Sequence, residues 1–254
     1  MSTTHATTTP AQREPELRGQ TVVVIGGSAG IGLETARRAR VEGADVILTA
    51  RNSERLGRAA EEVGATRSEA FDAGDLNDLG RFFADLPDPI DHVMVTAGRP
   101  YYAPLAEMDF DAARQSLDEH FWLMFHLARL AIGKVRAGGT LIFMGGTGGR
   151  RPAIGLALGT AMTAALPALT SNLALEIAPI RVNLIAAGFV DTPLSASLLG
   201  DGLDDRRSQL RAKLPIGRVV QAADVAALAV HIMTNTALTG ATYDIDGGQQ
   251  LVSF

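Results

Sequence analysis

Directly after the β-branched run Thr21 to Ile25 (TVVVI), the chain reads Gly26-Gly27-Ser28-Ala29-Gly30-Ile31-Gly32 and then enters a segment of helical periodicity. A strand that turns through glycines into a helix aims the helix N-terminus, with its free N–H groups and positive dipole, at whatever sits above the turn. That environment suits a phosphate. Gly26 permits the tight turn, Gly30 lets backbone approach a pyrophosphate, and Gly32 lets helix and strand pack closely. With Ser28 and Ile31 they form a loop expected to cradle a dinucleotide. A plain strand-to-helix turn is the alternative; the loop's place after a strand near the start of the chain favours the dinucleotide.

The pattern behind the loop repeats along the chain. Short β-branched runs at Thr21–Ile25, Asp45–Thr49, Glu69–Phe71, His92–Thr96, Thr140–Met144, Arg181–Ile185 and Thr242–Ile245 read as buried strands. Helical periodicity runs through Ile31–Glu42, Ser53–Val63, Asp75–Ala84, Asp109–Arg136, about Leu158–Ala178 and Ala222–Met233. Strands alternating with helices predict an α/β fold: a Rossmann-like, doubly wound sheet of about seven parallel strands, flanked by helices in three α/β/α layers. Residues 1–17, rich in Thr and Ala, are expected to be a flexible leader, and 18–254 one dinucleotide-binding domain. Between the sixth strand and the last long helix, residues 194–213 form a charged insertion of the kind that covers a substrate pocket.

Composition removes several function classes. The formal net charge is −5 and no segment concentrates Lys and Arg, so nucleic acid is not an expected partner. The absence of cysteine removes disulfides, thiolate metal sites and cysteine nucleophiles, and the five histidines show no metal-ligand spacing, so no metal is expected. Apolar stretches are broken by Gly, Arg or Glu before they reach membrane-spanning length, which leaves the cytoplasm as the default location and a small molecule as the expected partner.

Charge also indicates which dinucleotide. An acidic residue about twenty positions after the glycine loop, at the end of the second strand, would hold the ribose hydroxyls of NAD. Here Ala50 stands there, followed by Arg51 and Asn52. Arg51 offers a planar fork for a 2′-phosphate, and Ser28 and Asn52 can add hydrogen bonds, so NADP(H) is preferred over NAD(H). The alternative is that Arg51 is a solvated charge at a strand end.

The spacing Gly-x-x-x-Gly-x-Gly resembles that of the short-chain dehydrogenase/reductase family, and the likeness extends over nearly the whole chain. Asp72 in "FDAGDL" resembles the family's adenine-contacting Asp, "VTAG" at Val95 to Gly98 its Asn-Asn-Ala-Gly segment, and "RVNLIAAGFVDTP" its strand-six loop; "TGATYDIDGG" is also similar. The resemblance implies that Gly188, Val190 and Thr192 contact the nicotinamide carboxamide, and that Thr96, Ala97 and Gly98 line the adenosine and ribose side. Ile25 and the pair Val95-Thr96 depart from the pattern, so turn-bracing hydrogen bonds must be replaced there.

The same resemblance places this chain apart from the family's usual chemistry, in which a Tyr moves the proton, a Ser holds the substrate oxygen and a Lys follows the Tyr by four residues. Those three positions fall on Gly159, Gly146 and Thr163, and the family's relay Asn on His120. The tyrosines are Tyr101, Tyr102 and Tyr243 and the lysines Lys134 and Lys213, so no shift of register restores the pair. His120 is a candidate acid, or else a hydrogen-bonded structural histidine. Arg150 and Arg151 are candidates for polarising a carbonyl, or else solvated. Tyr101 and Tyr102 either border the cleft, where one could donate a proton, or pack at its rim, and Thr147 and Thr160 could bond a substrate oxygen or ribose. An iminium substrate would accept hydride with no acid at all.

Three functions fit: an NADP(H)-dependent oxidoreductase acting on a small carbonyl or imine with a non-standard proton source; a cofactor-binding pseudoenzyme acting as sensor or partner subunit; or a non-redox pocket enzyme with structural cofactor. The family's pairing of its fourth and fifth helices implies a homodimer or homotetramer, for which "LMFHLARLAI" and "ALTSNLALEI" offer apolar faces.

Overall fold

The computed structural model describes residues 16–253. The first half runs β1 (Thr21–Ile25), α1 (Gly30–Val41), β2 (Asp45–Ala50), α2 (Ser53–Val63), β3 (Arg67–Ala70), α3 (Leu76–Ala84) and β4 (Ile90–Val95). The second half runs α4 (Phe110–Leu117), α5 (Leu123–Ala131), β5 (Val135–Gly146), α6 (Ala157–Glu176), β6 (Arg181–Ala187), β7 (Val190–Asp191), α7 (Pro193–Leu199), α8 (Leu203–Lys213), β8 (Val220–Gln221), α9 (Ala222–Thr234) and β9 (Thr242–Ile245). Seven strands form a parallel sheet in the order β3-β2-β1-β4-β5-β6-β9. Chain direction across the sheet reverses between β1 and β4, and there the carboxyl ends open a crevice.

Successive side chains of a strand point to opposite faces, and the two faces of this sheet carry separate cores. Val23 and Ile25 of β1, Val93 and Val95 of β4, and Leu141 and Phe143 of β5 pack against α3, α5 and α6. Val22, Val24, Met94 and Ile142 pack on the other side with α1, α2 and α9. This double burial accounts for inner strands such as β1 that read as apolar runs, whereas the edge strand β3, expected to be buried, alternates half-buried and exposed residues because one of its edges has no neighbouring strand. Side chains start the helices locally: Asp75 Oδ1 accepts the N–H groups of Asn77 and Asp78 at α3, and Asp109 Oδ1 those of Asp111 and Ala112 at α4.

Two segments differ from the sequence expectation. The single helix expected over Asp109–Arg136 is divided into α4, a π-helical turn at Asp118–Trp122, and α5, which ends at Ala131. Gly133 then turns the chain with φ +78°, and Val135 and Arg136 join β5. Arg136 pairs with Asp91, whose carboxylate also accepts the N–H of Thr21 at 2.7 Å; this tertiary anchor overrides helical periodicity. The charged insertion at 194–213 folds as α7 and α8, with Leu210, Leu214 and Val219 packing beneath Phe189 as a small core of their own. Of the expected leader, residues 1–15 lie outside the described residues, whereas Leu17 is fully buried and its N–H donates to Glu42 O at 2.9 Å, so the packed fold begins at or before it.

Candidate active site

The glycine loop lies over the crevice. The N–H groups of Gly26 and Gly27 donate to Thr49 O at 3.0 and 2.9 Å, tying the loop to the end of β2. Gly26 has φ +96°, and a Cβ there would lie 2.7 Å from both Ala97 N and Thr96 Oγ1. At Gly32 a Cβ would lie 2.4 Å from Gly26 O, so neither position tolerates a side chain. Thr96 Oγ1 donates to Gly26 O at 3.0 Å. One hydroxyl thus supplies a brace where the sequence departs from the family's Asn.

A groove runs from this loop over the ends of β2, β3 and β4. It is lined by Ser28 and Ala29 of the loop, by Asp72 and Gly74 after β3, by Thr96, Ala97 and Gly98 after β4, and by Leu194 of α7. Arg51 and Arg55 both line the end next to Ser28. Arg55 Nε donates to Ser28 Oγ at 3.1 Å, and Arg51 lies 3.8 Å from the Asp72 carboxylate, which also accepts Gly74 N–H at 3.0 Å. Arg55 therefore holds the Ser28 hydroxyl while Arg51 faces the Asp72 carboxylate, in a groove where β2 ends on the uncharged Ala50.

Asn52 also has a structural role. Its Oδ1 accepts Arg55 N–H at 2.8 Å and caps α2, so the residue shapes the corner and Arg55 supplies the second donor. Arg55 was legible in principle, since the third residue after an N-cap is the one whose N–H the cap holds, in the first helical turn above the glycine loop. Ile31 belongs to the first turn of α1, where its carbonyl accepts the Thr35 hydroxyl at 2.9 Å. Gly188, Val190 and Thr192 lie on the segment from β6 to α7. The Gly188 N–H donates to Ile245 O at 3.1 Å, Val190 is buried and pairs with Val220, and Thr192 caps α7 with its side chain 3.5 Å from where a Gly30 Cβ would stand. This segment thus faces the glycine loop without lining the groove just described.

The candidate acids and electrophiles are dispersed. His120 lies in the π-helical turn, its Nδ1 bonded to Ser116 O at 3.0 Å and its Nε2 behind Gly98, only 2.7 Å from where a Cβ would be. Burial pushes its pKa below the usual imidazole value, with the Ser116 carbonyl and Glu119 opposing, so the ring is neutral near pH 7 with Nδ1 as the donor. That leaves Nε2 as an acceptor, which revises the expectation of an acid. Tyr101 Oη accepts the Asp109 N–H at 2.7 Å at the start of α4, and Arg150 forms a two-point ion pair with Asp244 of β9 (Nη2 to Oδ1 2.8 Å). Neither is brought to the groove. Arg151 donates to the carbonyls of Gln250 and Val252, fastening the C-terminal segment.

Gly146 ends β5, and a Cβ there would meet the Thr163 methyl at 3.5 Å. Thr163 Oγ1 is turned into its own helix, donating to Gly159 O at 2.8 Å. Gly159 opens onto another side chain: the Tyr102 ring edge lies 3.1 Å from where its Cβ would be.

Comparison with known proteins agrees with this architecture. The profile described as enoyl-(acyl carrier protein) reductase matches residues 26–250. A short-chain dehydrogenase/reductase of Stachybotrys chlorohalonatus, ATR9, is 30% identical over 92% of this chain and 98% of its own. The structure of MalC reductase/Diels-Alderase from Malbranchea aurantiaca superposes with a TM-score of 0.85 at 25% identity, covering 94% of this chain and 99% of that one. A small-chain dehydrogenase solved in complex with NADPH superposes with a TM-score of 0.79 at 27% identity, over 92% and 99%. The chain belongs to the short-chain dehydrogenase/reductase family. Among the described residues no group of His, Asp or Glu could hold a metal ion, and no helix is long and apolar enough to cross a membrane.

Proposed function

We propose that this protein is an NADP(H)-dependent oxidoreductase that delivers hydride to a small carbonyl or imine with a proton source other than the family's Ser-Tyr-Lys set. The observation that carries this reading is the corner made by Arg51, Arg55 and Ser28, next to a glycine cradle that a Cβ would fill. The residues fit the dinucleotide: the loop's backbone and the α1 N-terminus suit a pyrophosphate, and the two guanidiniums a 2′-phosphate. The end of β2, where an acidic side chain would favour NAD, is the uncharged Ala50, and the nearby Asp72 carboxylate lies 3.8 Å from Arg51. The NADPH-bound state of a structural relative supports the same choice of cofactor.

When bound, the reduced nicotinamide supplies hydride; the chain's part is to orient it, exclude water and manage a proton. Leu194 on α7 already reaches the groove, which supports a covering role for α7 and α8 over a bound substrate.

A second reading, a cofactor-binding pseudoenzyme, is favoured by one observation: Tyr101, Arg150 and His120 each have a structural partner. The two readings separate on turnover. Oxidation of NADPH is followed with neutral aldehydes, ketones and cyclic imines, and the oxidoreductase reading requires substrate-dependent oxidation that the Gly26→Val variant lacks. Binding of NADPH without oxidation by any acceptor would leave the pseudoenzyme.

A further inference from the structure

Gly159 and Tyr102 are 57 positions apart in the chain, yet the ring of one fills the space left by the absent side chain of the other. Gly159 lies in the first turn of α6, which follows the turn after β5, and it faces the carboxyl end of the sheet beside Gly146 and Thr163. Tyr102 reaches it from the loop after β4, held there because Ala103 N–H donates to Gly155 O at 3.1 Å. Its neighbour Tyr101 is committed to Asp109, and Tyr243 lies on β9. The Tyr102 side chain has no hydrogen-bond partner among the described residues, and with the residue 52% exposed it can exchange protons with water.

We infer that the Tyr102 phenol is the proton donor of this site, delivered from the β4 loop into the space that glycine at 159 leaves open. The inference rests on the oxidoreductase reading above. In the step, the carbonyl π bond breaks as its carbon takes hydride from a reduced nicotinamide dinucleotide and its oxygen takes the Tyr102 proton. The carbonyl carbon is reduced, the dinucleotide is oxidised, and the phenolate recovers its proton from solvent. Burial raises the phenol above its ordinary pKa and no charged neighbour opposes it, so the group is held protonated until the oxygen develops charge. Leu105 and Ile154 are exposed on the two loops that the Ala103–Gly155 hydrogen bond joins, which puts apolar surface on the loops around Tyr102.

Fluorine NMR on protein labelled with 3-fluorotyrosine tests this without turnover. Only three tyrosines are present, and Tyr102→Phe assigns one resonance by its disappearance. If the phenol stands beside the nicotinamide, saturating NADP⁺ lowers the Tyr102 titration midpoint by about half a pH unit, because a nearby cation favours phenolate. In contrast, 2′,5′-ADP, which lacks the nicotinamide, leaves it unchanged. Gly159→Ala, which drives a methyl group into the ring, abolishes the response to NADP⁺. Calorimetric binding of NADP⁺ with an unmoved or raised Tyr102 midpoint overturns the inference and leaves the oxidoreductase reading standing. Absence of NADP⁺ binding overturns both.

Discussion

At the scale of single residues, buried polar groups set how this fold responds to pH. His92 of β4 is 1% exposed; its Nε2 meets Gln20 Oε1 at 2.7 Å while Nδ1 has no hydrogen-bond partner. Desolvation lowers its pKa to about 3, with Arg181 and Arg136 adding and Asp91 opposing. The imidazole is therefore neutral in the fold, whereas the unfolded chain takes up a proton near pH 6.5. Folded-state stability is accordingly full above pH 6.5 and declines as pH falls toward 3. Between pH 7 and pH 5 the loss is about 2 kcal/mol, measured by urea unfolding. His92→Gln removes most of that slope, and an unchanged slope would show that another group carries it. The same scale explains which site residues were legible in the sequence. Gly26, Gly30, Gly32 and Arg51 stand out in the sequence by their spacing from the ends of β1 and β2, although Arg51 meets Asp72, 21 positions further on. The partners of Arg150 and Tyr101 do not: Arg150 finds Asp244 across 94 positions, and Tyr101 takes a helix N-terminus that no local pattern assigns to it.

At the scale of elements, the junction between β1 and α1 is the most constrained feature of the fold. Gly32 faces Gly26 O, and Thr96 closes the same turn from β4. Gly32→Ala forces α1 away from the loop and should weaken NADPH binding at least about tenfold, while costing roughly 1–3 kcal/mol of stability through overpacking. Calorimetry and urea unfolding on one preparation separate the two effects; wild-type affinity in that variant would mean the loop does not seat the dinucleotide. Periodicity found the inner strands and most helices because both sheet faces are covered there, which makes those strands apolar, whereas the edge strands β3 and β9 carry polar residues and are only partly buried. It misjudged Asp109–Arg136 because the π-helical turn and the Arg136–Asp91 pair are tertiary features, and the 3.6-residue pattern continues through the former and cannot register the latter.

At the scale of the whole molecule, apolar surface remains uncovered on α5 and α6. Trp122 is 51% exposed, its ring 5.4 Å from that of Phe125, which is also exposed, and Leu175 projects from α6. We propose that these faces pair across a two-fold axis, as the family resemblance implies, to give a dimer or tetramer. Light scattering should then give at least twice the chain mass for the wild type and a lower mass for Trp122→Asp; a wild-type monomer at micromolar concentration would contradict this.

The central claim is that a cationic corner reads the 2′-phosphate of NADP(H). Calorimetric titration of the chain with NADPH and with NADH in one buffer, repeated on Arg51→Ala and Arg55→Ala, tests it most directly. The prediction is tighter NADPH binding, reduced about tenfold to a hundredfold in each variant, the scale of a hydrogen bond to a charged group, with NADH affinity unchanged. Equal affinity for the two cofactors, or no binding of either, would contradict it.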